Sequence, residues 1–254
     1  MVDCGNSQGF EPIDKIIGLN LLPSYSLGNL TLTNYDQDHF SGFLNLERKI
    51  KIGSFCFPRN LTSADIKGLK KEITKPIERI CDTLDRLDSL VPLTREYAPP
   101  YTKSCFYLQK QDFLPYGDYS TNDLSQIVFV SYKGTTICIP GDLTTRAWEK
   151  LLLKIEIRVW LKYTNIFVAS HHGREDGYNE RIFSHCKPEC IILSDENIRY
   201  ETQEGMAQKY FSKVSGEGII FNSEKRKVLT TRKDGHILIK IGENGIRTYN
   251  PLNK

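Results

Sequence analysis

Long apolar runs are missing from this chain of 254 residues, and the longest, such as Ile127-Val128-Phe129-Val130, falls far short of a bilayer crossing. The chain also lacks a basic-then-apolar leader, and its seven cysteines are an odd number. Both points argue for reduced thiols in a cytosol and against a disulfide framework, so a soluble, cytoplasmic protein is expected. Charge of one sign is scarce as well: the formal net charge is only +3, too little by itself to imply nucleic acid. Cys186 and Cys190, with His185 beside them, come closest to a zinc pair. No second half-site of matching spacing follows, which favours buried or incidental thiols. Low-complexity segments and internal repeats are absent too.

What is present is an ordinary globular composition, 39% hydrophobic and 26% charged, at a length that suits one large α/β domain. The expectation is a single domain over 1–254, with a helical and loop insertion at about 62–125. The first sixty residues read as short strands and turns, broken by Gly5, Gly9, Gly18, Pro23 and Gly28. Thr62-Ser63 then offers a cap to a stripe at Ile66, Leu69, Ile73, Ile77, Ile80, Leu84 and Leu87, an amphipathic helix or helix pair that Pro76 kinks or interrupts. Its charged face, Lys67, Lys70, Lys71, Lys75 and Arg79, reads as solvated. Residues 91–125 form a Pro/Tyr-rich connection and the best lid candidate.

The second half alternates strand and helix. Ile127 to Tyr132 and Thr135 to Ile139 predict a hairpin about Lys133-Gly134, which Pro140-Gly141-Asp142 ends. A helix from about Thr144 to Leu161 leads into the strand Ile166 to Ala169, which stops at Ser170-His171-His172-Gly173. A helix, the strand Ile191-Ile192-Leu193, a further helix and two or three strands complete the pattern. The fold class is therefore α/β, with polar residues recurring just after strand ends, where such sheets place their sites.

The densest chemistry lies in Asn34-Tyr35-Asp36-Gln37-Asp38-His39-Phe40-Ser41-Gly42. Two carboxylates close together repel unless a cation or protons neutralise them, so a divalent metal is a natural occupant; an Asp-rich turn capping backbone amides is the alternative. The segment resembles the metal motif of the metallo-β-lactamase superfamily, His-x-His-x-Asp-His-x-x-Gly, and in particular the hydrolase domain of ComEC-type DNA-uptake proteins, whose third position is commonly Asp, as Asp36 is here. Further signatures of that branch follow in order: Gly141-Asp142 after an aliphatic hairpin, His171-His172-Gly173 after a strand, Glu196-Asn197-Ile198-Arg199-Tyr200, and Thr230 to Gly235. Asp3 matches its strand-end Asp-x-Gly. The resemblance runs from Asp3 to about Ile239.

The resemblance implies an αββα sandwich, lacking the first one or two edge strands, and a pair of Mn or Zn ions held by Asp36, Asp38, His39, Asp142 and His172, with Asn34 as a weak ligand. Asp142 would bridge the ions, Asp38 and His171 would serve the reaction, and Asp3 would orient a ligand. His171 is expected to be a substrate-facing proton donor or a group just behind the ligands. Asn197, Arg199 and Tyr200 would bind substrate. Two such ions can acidify a shared water and stabilise the entering and leaving oxygens at phosphorus. The implied activity is phosphodiester hydrolysis, in nucleic acid above all. A degenerate subunit that binds nucleic acid or a protein partner, and a hydrolase of small phosphodiesters or esters, are the alternatives. The basic groups Lys225-Arg226-Lys227 and Arg232-Lys233 could touch phosphates or be solvated strand edges.

Three departures from the family pattern stand out. Asn34 replaces the first histidine, and an amide oxygen is a weaker zinc ligand than imidazole, so one ion would be loosely held or absent. Thr202 stands where relatives carry a histidine. Only Met1-Val2 precede Asp3, where relatives have about two more strands, so the expectation is either a true start upstream or a protein partner that covers the sheet edge.

Overall fold

The computed structural model describes all residues except 7–10, 23–24, 89–98, 114–117, 196–202, 246 and 253–254. The chain forms two compact units, one of Met1–Glu96 with Tyr107–Gln126, the other of Tyr97–Phe106 with Ile127–Lys254.

In the first unit short elements alternate with turns, as the glycine spacing predicts. They are α1 (Pro12–Gly18), β1 (Ser26–Leu27), β2 (Leu30–Thr31), α2 (Phe43–Lys49), β3 (Lys51–Ile52) and β4 (Phe55–Cys56), with β1 parallel to β3 and β2 parallel to β4. The helices α1 and α2 correct the strand-and-turn expectation. Each has seven residues, too few for a periodic stripe to stand out, yet α2 buries Phe43 and Leu46, three positions apart on one face.

The stripe after Thr62 resolves into a pair, α3 (Ser63–Gly68) and α4 (Lys75–Asp88). Thr62 and Asp65 form a capping box at the start of α3. Pro76 sits in the first turn of α4, where its missing N–H costs nothing, so it begins a helix rather than kinking one. Ile66, Ile77, Ile80 and Leu84 are buried, whereas Leu69 and Ile73, between the helices, are largely exposed. The charged face is not wholly solvated: Arg79 makes a two-pronged ion pair with Glu47 of α2, at 2.7 and 3.0 Å. Buried amides fasten residues 107–126 into this unit, with Asn60 donating to the carbonyls of Leu108 and Leu124 and Gln126 to that of Leu32.

The second unit is a mixed α/β fold. Its elements are β5 (Thr102–Phe106), β6 (Ile127–Tyr132), β7 (Thr135–Ile139), α5 (Thr145–Leu151), α6 (Ile155–Lys162), β8 (Thr164–Val168), β9 (Cys190–Leu193), α7 (Met206–Phe211), β10 (Ile219–Phe221), β11 (Glu224–Arg226), β12 (Val228–Thr230), α8 (Thr231–Asp234), β13 (His236–Ile241) and β14 (Arg247–Leu252). A six-stranded sheet has the order β12-β9-β8-β7-β6-β5, parallel from β12 to β7 and antiparallel across β6 and β5. The predicted hairpin joins β6 to β7, with Lys133 (φ 46°) and Gly134 (φ 77°) both left-handed, the backbone a two-residue turn of this hand requires.

Four expectations are corrected here. β5 lies inside the predicted loop connection; Thr102 to Phe106 carries no clean alternation, and its strand form comes from pairing with β6. The long helix after Thr144 is two helices, and the Arg158 guanidinium caps the break by donating to the carbonyls of Leu152 and Leu153. Between β8 and β9 the chain forms 3-10 turns instead of an α-helix, and among the described residues five strands follow β9 rather than two or three. The lid candidate falls partly on residues 91–98 and 114–117, outside the described residues.

Side chains of β8 alternate between two apolar layers. Ile166 joins Cys190, Leu229, Ile219, Phe221 and Tyr249, which packs the six-stranded sheet against a second sheet of order β11-β10-β14-β13. Phe167, one residue on, meets Trp148 of α5 and Phe183. Burying both faces of the parallel strands leaves their C-terminal ends as the place where polar groups gather. No helix among the described residues is long and apolar enough to cross a membrane.

Candidate functional site

In the first unit, Thr33 follows β2 and the predicted motif runs on through a 3-10 turn at Gln37–His39. Asp3 lies beside it, held by its N–H to the Thr31 carbonyl at 2.8 Å in a left-handed backbone (φ 54°) that costs a non-glycine residue about 1 kcal/mol or more. Its carboxylate accepts from the Thr33 N–H (2.7 Å), the Thr33 hydroxyl (2.6 Å) and Nδ1 of His39 (3.0 Å). Since the Thr33 proton is committed to Asp3, the His39 proton sits on Nδ1, and the Nε2 lone pair lies on the opposite edge of the ring. Metal-binding histidines are oriented in this way. Asp38 precedes His39 on an exposed stretch of the turn. Its backbone crosses Gly5 so closely that a Cβ there would lie 1.6 Å from the Asp38 carbonyl oxygen, so the motif fits only over glycine.

Asn34 and Asp36 are engaged differently. The buried Asn34 amide donates to Asn122 (2.9 Å) and Ser125 (2.8 Å), and its oxygen accepts the Asp36 N–H at 2.6 Å. Asp36 forms an ion pair with Lys70 and accepts from the Thr121 hydroxyl at 2.8 Å. The charge pattern gave Lys70 no distinction from Lys67 or Lys71.

In the second unit the candidate residues gather at the C-terminal ends of parallel strands. Asp142 follows β7, the His171-His172 pair follows β8, Ser194 and Asp195 follow β9, and Thr231 and Arg232 follow β12. Ser170 stitches the first two turns together, donating to the Leu143 carbonyl at 2.7 Å, while the His171 N–H bonds the Gly141 carbonyl at 3.1 Å. His171 (φ 50°), His172 (φ 54°) and Gly173 (φ 78°) are left-handed in succession. That turn breaks the up-and-down alternation of a strand, so both imidazoles reach Asp142, which is 4% exposed: His171 Nε2 is 3.7 Å from Oδ2 and His172 Nε2 is 3.7 Å from Oδ1. Such a separation is too long for a hydrogen bond. It is close to the roughly 3–3.5 Å between two atoms that each lie about 2.1 Å from one ion.

The two rings differ in their other partners. His172 Nδ1 donates to the Ser194 carbonyl at 2.8 Å, repeating the orientation seen in His39. His171 has Nδ1 at 2.9 Å from Asp176, and the Arg174 guanidinium faces its Nε2 at 3.1 Å. The His171 ring beside it holds the Asp176 carboxyl below its ordinary range, whereas burial raises that of Asp195. Arg174 and Asp176 carried no signal in the sequence.

Other candidates have settled roles. Cys186 and Cys190 are buried in the core, and burial pushes their thiols up to about 12. Arg226 is committed to Asp234 at 3.0 Å and Lys225 pairs with Glu217, while Arg232 lies 3.5 Å from Asp195. Asn197, Arg199, Tyr200 and Thr202 lie outside the described residues. No family model matches the chain, and no curated protein matches it.

Proposed function

We propose that the chain is a metal-dependent hydrolase of phosphodiester bonds, acting on nucleic acid, with a fold of the metallo-β-lactamase type, and that Asp38 and His39 of the first unit and Asp142 and His172 of the second are metal ligands. One observation carries this reading: His39 and His172, far apart in sequence, each have Nδ1 tied to an oxygen, Asp3 in one case and the Ser194 carbonyl in the other, so that Nε2 is the nitrogen presented. Core histidines rarely need a carboxylate or carbonyl brace in a strained turn, whereas ligands do. The order of the sequence motifs and the gathering of Asp142, His171 and His172 at parallel strand ends support it further.

A divalent ion there supplies Lewis acidity toward a phosphoryl oxygen and makes water a stronger acid. Carboxylate and imidazole ligands accept Mn²⁺ or Zn²⁺. Asp3 and the Ser194 carbonyl hold the ligand rings in one tautomer. His171, set between Asp176 and Arg174, is read as a positioning group for Asp142 rather than a proton donor. Asn34, whose amide serves the motif's own backbone, favours the second reading, a binding subunit without catalysis.

Purified protein with labelled single- and double-stranded DNA and RNA in Mn²⁺, beside the Asp38→Ala/His39→Ala double variant, tests the proposal. Cleavage by the wild type and its loss in the variant are expected. Equal cleavage by both, or none by either, contradicts it.

A further inference from the structure

Asn34 and Asp36 stand where the family pattern would hold one of two ions, yet their surroundings do not suit a divalent cation. The Asp36 carboxylate already carries a positive charge, the Lys70 ammonium, on the same oxygen that accepts the Thr121 hydroxyl at 2.8 Å. The Lys70 side chain is 13% exposed, against 32% for Asp36, so this is no loose surface pair. It projects from the residue just after α3 and its end cap, and the same connection is fastened again where Thr74 donates to Gln37 at 2.8 Å. Asn34 offers little in return: both amide hydrogens go to Asn122 and Ser125, and its oxygen takes the Asp36 N–H. A second ion would have to displace an ammonium from the carboxylate and an N–H from the amide, and it would then face the like charge of Lys70 at short range.

We propose that Lys70 is a built-in cation standing in for the second metal, so that the chain binds one divalent ion instead of two. The proposal rests on the metal-binding reading above. It explains how Asp36 and Asp38, two carboxylates two residues apart, are both accommodated: the ammonium neutralises one and the metal the other. It also fits an asparagine at position 34, whose amide oxygen accepts the Asp36 N–H and so serves the turn and not an ion.

Native mass spectrometry of the full chain, loaded with Mn²⁺ or Zn²⁺ and freed of excess ion, reads the stoichiometry directly. The wild type is expected to carry one ion per chain. In the Lys70→Met/Asn34→His double variant the blocking charge is gone and a good ligand is supplied, so a second ion is expected. Two ions on the wild type would overturn the proposal while leaving the metal-binding reading intact. No ion on the wild type would overturn that reading and this proposal with it. A folded double variant that stays at one ion would also overturn the role given to Lys70. Circular dichroism matched to the wild type establishes that it is folded, and the wild-type count decides the matter if it is not.

Discussion

Asp3 shows how much a single side chain can do when its backbone is forced into an uncommon region. At φ 54° it gathers three donors, among them the Thr33 hydroxyl and the His39 ring, into one carboxylate. Removing its charge while keeping its shape isolates that effect. Asp3→Asn is expected to lower affinity for Mn²⁺ or Zn²⁺ by about 10–100-fold with the fold retained, the usual cost of losing a brace behind a ligand. Calorimetric titration of the metal-free protein reads it, and an unchanged affinity would remove Asp3 from the account. At this scale the sequence was informative where residue types are rare together, as in Asp36-Gln37-Asp38-His39 or His171-His172. It was silent on Lys70, Arg174 and Asp176, because a charged side chain in a charged stretch gains its meaning only from the partner that folding supplies.

Among the elements, α3 is the clearest case of local chemistry fixing a boundary. Thr62 and Asp65 cap each other, and Lys110 reaches the same carboxylate at 2.8 Å. The Lys110 hydrogen bond, then those from Thr62, bring the Asp65 carboxyl down to about 2. A depressed carboxyl stabilises the fold in its ionised form, so the contribution is full above the unfolded value of about 3.9 and is lost as pH falls through about 2. Carbon-detected NMR titration is expected to find the Asp65 midpoint near 2, and Lys110→Ala is expected to move it upward. A midpoint near 3.9 in the wild type would contradict the pairing. The hairpin at Lys133-Gly134 and the Thr62 cap were legible because turn and cap residues act locally. β5 was not legible, since its strand form depends on β6, and neither was the break between α5 and α6, which depends on the reach of Arg158.

For the molecule as a whole, no disulfide joins the cysteines, and burial raises the thiols of Cys138, Cys186 and Cys190. The α/β class was legible because the alternation of strand and helix spans most of the second unit. The division into two compact units was not, since no linker-like composition marks it. The central claim is that Asp38 in the first unit and Asp142 in the second are metal ligands. Its most direct test is Mn²⁺ or Zn²⁺ titration of metal-free wild type, Asp38→Ala and Asp142→Ala under identical conditions. The account predicts binding by the wild type and a loss of at least about 10-fold in affinity in each variant. Wild-type affinity in either variant would contradict it.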